Sequence, residues 1–310
     1  MRRVALAASL AAVAALVLPQ AARADHGPLR PDEAASTWSF SPLVLTFAGL
    51  AILLFTQAMV RLRRRGRADH APLGRTVLFG LGLAIVVLAL ISPLDAIGEQ
   101  YLLSAHMLQH VSIGDAGPAL LLAAVRGPLV FFLIPAMILG PLARVRPLRS
   151  LVTRLTYPET ALIIWMTAIA VWHTPALYQA ALDDGVLHNL EHTSFIVAGI
   201  LIWTVLVDPT RRARVRRAGR IATAVVVFAA GQVLAEIFLF SGRPLYGAYA
   251  AQDERLLGLS ALTDQRFAGV VMMVEQAVTI GLFLLILFLA EDRAARRRAA
   301  TQAVSARVRP

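Results

Sequence analysis

PLVFFLIPAMILGPL, residues 128–142, decides how this chain is threaded. The stretch is apolar throughout, yet it has fifteen residues and three prolines, short of the roughly 20 residues a helix needs to cross hydrocarbon. If it spans, every later loop changes sides, so the arginines around it can arbitrate. With 128–142 treated as non-spanning, one side of the membrane collects Arg61 to Arg67 with Arg75, Arg126 with Arg144 to Arg154, Arg211 to Arg220, and the tail from Arg293. The other side holds only Arg30, Arg243, Arg255 and Arg266. Basic residues favour cytoplasmic loops. The distribution therefore predicts that 128–142 is re-entrant or lies in the inner interface.

On either side of that stretch, segments near spanning length run over 41–60, 74–91, 101–125, 159–177, 187–207, 221–240 and 267–290. The expected architecture is all-α, a polytopic bundle of seven transmembrane helices with the amino terminus out and the carboxyl terminus in. Composition agrees: 58% of residues are hydrophobic and the mean hydropathy is +0.67, too apolar for a water-soluble globule. The net charge of +11 resides in arginine runs between apolar segments, where the positive-inside rule and anionic lipid account for it. Nucleic acid is not an expected partner. All thirty basic residues are arginine, which excludes Schiff-base chemistry on lysine. Cysteine is absent, so disulfides and thiolate ligands are excluded and a soft metal would have to use histidine and methionine.

Residues 1–24 have the pattern of an export signal: Arg2 and Arg3, an apolar run from Val4 to Leu18, and Ala22-Arg23-Ala24 as a cleavage site. An uncleaved anchor would leave the downstream topology unchanged. An extracytoplasmic leader at 25–40 would follow, then the membrane domain at 41–290 and a basic cytoplasmic tail at 291–310. His26, in a Pro-rich leader, is expected to be solvated.

In this topology five of the seven histidines fall at one level. His106 and His110 lie in the first turns of the third segment, His173 near the exit of the fourth, and His188 and His192 in the first turns of the fifth. Each i, i+4 pair shares one helix face with Cβ atoms roughly 5–6 Å apart. A single histidine at a helix end is ordinarily an interface anchor. Five converging at one depth, in a region where histidine is uncommon and faces the bundle interior, predict a metal-ligand cluster in the outer leaflet.

Other polar groups accompany them. Met107 adjoins His106, and Met272 and Met273 lie near the outer start of the seventh segment, where thioethers suit Cu(I), although methionine in apolar helices is usually packing. Glu191 flanks the fifth-segment pair as a partner able to orient imidazoles. Glu236 and Glu275 lie inside the last two segments, each near a glutamine; a mid-helix carboxylate costs roughly 2.5–3.5 kcal/mol to insert, so these should pair, bind a cation or stay protonated. Asp115, in Gly114-Asp115-Ala116-Gly117-Pro118, is expected to cap a kinked helix.

His106-Met107-Leu108-Gln109-His110, Trp172-His173-x-Pro175-x-Leu177-Tyr178, His188-x-x-Glu191-His192-x-x-Phe195 ending at Trp203, and Asp264-Gln265-x-x-Ala268-Gly269-x-x-Met272 resemble the signature blocks of the multi-spanning CtaG-type cytochrome c oxidase assembly factors. The blocks cover about 43–290. The resemblance implies a non-enzymatic role in maturing a caa(3)-type haem-copper oxidase, with copper as the metal handled. Oxidase subunits would be the partners, together with periplasmic or extracellular copper chaperones, and the location the cell membrane. It carries over His106, His110, His173, His188, His192, Asp264 and Met272. Two positions depart from the pattern: Glu275, where an apolar stretch is expected after Met272 and an aromatic, and Asp115, where the third helix is commonly apolar.

Rival readings make different demands. Stacked haems in a bundle need histidines about a dozen residues apart on one helix, one per leaflet, and spacings of four at one level do not supply them. A metal or proton-coupled transporter would use Asp115, Glu236 and Glu275 as an inward path, but beyond Asp115 no ionisable group precedes the cytoplasmic arginines. A hydrolytic metalloenzyme would take Glu191 as base, in an order, His-x-x-Glu-His, that is not the protease one.

Overall fold

The computed structural model describes residues 29–210 and 215–308. The export signal expected at 1–24, His26 and Arg211 to Arg214 of the third arginine run lie outside the described residues. Within them the chain is all-helical and contains no strand. Five helices are long and apolar enough to cross a membrane, or six if a bent pair counts as one crossing.

Helix α1 (Pro42–Arg64) begins with proline at its first turn, where the missing N–H costs no helical hydrogen bond, and ends in Arg61, Arg63 and Arg64. After a short arginine loop come α2 (Leu73–Ile91) and α3 (Pro93–Gln100). The third expected segment is broken: α4 (Leu103–Val111), a π-helical turn at Ser112–Ala116 and α5 (Gly117–Ala124). Together these cover 103–124, roughly 33 Å at ~1.5 Å per residue, still enough for hydrocarbon. Pro118 offers no N–H to the carbonyl four residues back, and the π turn absorbs that defect, at the kink the Gly114 to Pro118 motif predicts.

Residues 128–142 do not form a span. They fold as a 3-10 turn at Gly127–Phe131 and the nine-residue α6 (Ala136–Arg144). Leu129 and Val130 are buried in the main core with Phe55, Leu122 and Leu206, and Gln57 Nε2 donates to the carbonyls of Phe132 at 2.9 Å and Leu133 at 2.6 Å. Next comes the amphipathic α7 (Arg146–Leu155), with Arg146, Arg149 and Arg154 interleaved with leucines, a composition suited to a membrane surface. It is bent by 69° against α8 (Pro158–Trp172).

The fourth segment, expected as one helix over 159–177, is two. α8 stops at Trp172 and α9 (Pro175–Asp183) starts anew, because Pro175 lacks an N–H and holds Thr174 in an extended conformation (φ −68°, ψ 133°). The remaining long helices are α10 (Gly185–Val207), α11 (Arg217–Phe240) and α12 (Ala261–Val308), with single helical turns at Pro31–Ala34 and Gly247–Ala250. α12 carries the expected tail as a direct continuation of its helix.

α10 is the central helix. Most of its length is buried, whereas α1, α2 and α12 expose leucines, valines and phenylalanines such as Leu53, Val77, Leu81, Val278 and Phe288. Its neighbours are α8, α9, α5 and the π turn, while α12 packs on α11 and α4. Backbone meets backbone at one crossing: a Cβ at Gly199 of α10 would collide with the carbonyl oxygen of Gly114 in the π turn. Glycine is required there for close approach.

The two ends of α10 differ in chemistry. At its carboxyl end Arg220 donates to Leu206 O, Arg75 to Ala124 O at the end of α5 and Arg61 to Phe132 O. Guanidinium groups therefore complement exposed helix carbonyls across this end. At its amino end sit the histidines.

Candidate metal centre

Two helix starts place the four paired histidines. Asp184 caps α10, its Oδ1 accepting from Val186 N at 2.8 Å and Leu187 N at 3.0 Å, which fixes His188 and His192 in the first two turns. α4 has no local cap. Its cap comes from α12 instead: Asp264 accepts from Leu103 N at 2.6 Å and Ser104 N at 3.2 Å, and from the Ser104 hydroxyl. A carboxylate on two first-turn N–H groups also opposes the positive end of the helix.

From these starts the rings converge. His106 Nε2 lies 2.7 Å from His110 Nε2. Ring centroids are 5.5 Å apart for His106 and His188, 5.3 Å for His110 and His192, 4.2 Å for His188 and His192, and 6.3 Å for His110 and His173. His106, Glu191, His110, His188 and His192 are between 0 and 7% exposed. Two sets offer ligand atoms within 4.8 Å of one another: His106 with His188 and His192, and His106 with His110 and Glu191.

The outer nitrogens of several rings are engaged. His106 Nδ1 faces Gly98 O and Tyr249 Oη, both at 3.3 Å. His173 Nδ1 donates to Ile169 O at 2.8 Å. His188 Nδ1 is 2.6 Å from Glu99 Oε1. Binding one nitrogen to a carbonyl or carboxylate fixes the tautomer and aims the other lone pair inward, the usual support of metal-ligating histidines. His110 Nδ1, His173 Nε2, His188 Nε2, His192 Nε2 and Glu191 Oε1 are buried with no hydrogen-bond partner; His110 turns its other nitrogen, Nε2, to His106 and Glu191, and His173 lies outside both sets. Leaving each buried polar group unpaired costs about 1–3 kcal/mol, and a cation at the centre would relieve several at once.

Of the remaining expected residues, Met107 and Met272 lie in one apolar cluster with Leu103, Tyr178, Phe238, Tyr246, Tyr249 and Ala268; the Tyr178 ring of that cluster lies 5.3 Å from His106, tilted by 48°. Glu275 shares a side-chain hydrogen bond with Asp115, which also receives the Trp203 indole N–H and, at 3.4 Å, the Thr279 hydroxyl. This knot ties α12 and α10 to the π turn. Glu236 is exposed on α11.

Glu99, Gly98 and Tyr249 belong to the centre and were not anticipated. Glu99 and Gly98 stand on α3, between the second and third expected segments, and Tyr249 on a single helical turn, Gly247–Ala250, between the last two. The available signal was an acidic residue, Glu99, at the same end as the histidines.

No curated protein and no solved structure matches the chain. The family model of the cytochrome c oxidase caa3 assembly factors (Caa3_CtaG) matches residues 53–291, a stretch that contains all five clustered histidines, Glu99 and Asp264, and the chain belongs to that family.

Proposed function

We propose that this assembly factor binds copper as Cu(I) at the histidine cluster and passes it to a haem-copper oxidase subunit. Copper is cargo here, not a resident catalyst. The observation that carries the reading is the convergence of ligand atoms within 4.8 Å of one another in two overlapping sets, His106 with His188 and His192, and His106 with His110 and Glu191, with His188 Nε2 and His192 Nε2 buried and unpartnered, in a chain with no cysteine to serve a soft metal. Met272 joins the metal set as a thioether ligand, with Met107 beside it. Glu191 supplies charge, Glu99 and Asp264 hold ring and helix, and Glu275, tied to Asp115, braces α12 against the π turn.

In the same reading seven segments cross the cell membrane, α4 to α5 being one broken crossing and α8 another, with the amino terminus outside and the arginine-rich end in the cytoplasm. The cluster then opens to the outer leaflet, within reach of copper chaperones and the client.

Deletion of the chain tests the role. The oxidase polypeptide should persist but be copper-poor, and millimolar copper should partly restore it by mass action. Purified protein in mild detergent should carry copper, and the His106→Ala, His110→Ala double variant should lose it. Iron with a Soret band, or an oxidase unaffected by the deletion, would refute the reading.

A further inference from the structure

His106 belongs to both candidate ligand sets, and it has only one nitrogen to give. Its Nε2 lies 2.7 Å from His110 Nε2, while its Nδ1 is held by Gly98 O and Tyr249 Oη. Tyr249 Oη itself donates to Gly98 O at 2.6 Å, so the carbonyl is the acceptor that keeps the proton on Nδ1. A neutral imidazole with Nδ1–H has a single lone pair, and bridging two ions would require the imidazolate. The two sets therefore exclude one another.

They also differ in character. His106, His188 and His192 would offer three neutral imidazole nitrogens. His106, His110 and Glu191 replace one nitrogen with a carboxylate oxygen, and Glu191 is 3.8 Å from His110. Along α4, His110 is one turn beyond His106 in the direction of the π turn. The first set leaves a monovalent ion with its full charge, whereas the second neutralises it, which offsets the cost of carrying charge into a low-dielectric interior.

Resting on the copper reading, we infer that the cluster holds one monovalent soft cation in either of two overlapping positions, an all-imidazole position and a carboxylate position, and that His106 is the pivot ligand common to both. Transfer between them exchanges His188 and His192 for His110 and Glu191 without releasing His106. No bond other than metal–ligand bonds changes, and no electron is transferred.

The test is a competitive titration of the full-length protein in detergent with Cu(I) under reductant, against a chromogenic Cu(I) chelator, for wild type, His106→Gln, His110→Asn, His188→Asn and the His110→Asn, His188→Asn pair. Wild type should bind one ion per chain. Each of the last two single substitutions removes one position and leaves the other, so affinity should fall by the reciprocal of the fraction bound at the surviving position, about twofold if the two are equally populated. His106→Gln and the double variant remove both positions, and each should weaken binding by more than the product of the two single effects. Helicity and monodispersity of every variant separate ligand loss from misfolding, and a variant that fails this check is replaced by its His→Gln or His→Asn counterpart. Two ions per chain, or a loss in His110→Asn or His188→Asn as large as in His106→Gln, would overturn the two-position arrangement while leaving copper binding intact. A wild type that binds no Cu(I) would overturn both.

Discussion

Glu99 Oε1 lies 2.6 Å from His188 Nδ1, joining α3 to the first turn of α10 in a buried pair. The carboxylate accepts the ring N–H and turns Nε2 into the cluster. Glu99→Ala should therefore lower Cu(I) affinity by about 10–100-fold, the usual effect of removing an outer partner of a metal-bound histidine. Glu99→Gln retains an acceptor and should recover most of it. Equal affinities for wild type and Glu99→Ala in chelator competition would show that the ring needs no such support.

Asp264 reaches from α12 to cap α4. Asp264→Ala leaves two first-turn N–H groups unpaired and should destabilise the bundle by about 1–2 kcal/mol, visible as a lower Tm in detergent. Asp264→Asn keeps one acceptor and should lie between. A Tm unchanged in the alanine variant would mean that solvent or a neighbour replaces the cap.

At the Gly199 crossing a methyl group has no room. Gly199→Ala should cost roughly 1–3 kcal/mol through overpacking and reduce copper occupancy with it. Gly49, on the exposed face of α1 with nothing within 4 Å of an added Cβ, is the matched control, and Gly49→Ala should be neutral or slightly stabilising. Equal behaviour of the two would remove the close contact as a determinant.

The absence of cysteine makes sidedness directly measurable. Single cysteines at the exposed positions Arg65, Arg149 and Asp253 can be challenged in intact cells with a membrane-impermeant thiol reagent. Asp253→Cys should react; Arg65→Cys and Arg149→Cys should react only after permeabilisation. Labelling of Arg149→Cys in intact cells would reverse the membrane orientation assumed for the cluster.

Glu275 is held by Asp115, so Glu275→Gln, which keeps a hydrogen-bonding group, should leave the external copper needed for oxidase activity unchanged. A raised requirement would place the carboxylate in copper entry. Glu275→Leu removes the bond altogether and should lower stability by about 1–3 kcal/mol.

Much of this organisation was legible in the residues themselves. The alternation of apolar segments and arginine runs located α2, α10 and α11 to within a few residues, and the prolines of 128–142 marked it as too short and too broken to span. The i, i+4 histidine pairs declared a shared face because helical spacing is a local property. The break between Trp172 and Pro175 is hidden in the apolar pattern, since an apolar run is blind to one missing N–H. Glu99 and Tyr249 escaped because their role depends on how α3 and the 241–260 connection fold back over the cluster, and no periodicity encodes such a return. Asp264 was legible only through the family resemblance; its chemistry, a cap donated across helices, joins residues about 160 positions apart.

The Gly114 and Gly199 contact is also a fulcrum. From it to His192 is seven residues of helix, an arm of about 10 Å, and to His110 only four, about 6 Å. Arms this short convert a few degrees of rocking between the two helices into roughly half an ångström at the rings, near the tolerance within which a ligand set keeps its geometry. A force applied at the ends of these helices would therefore change the gap between the two histidine pairs very little, because the glycine contact sets it.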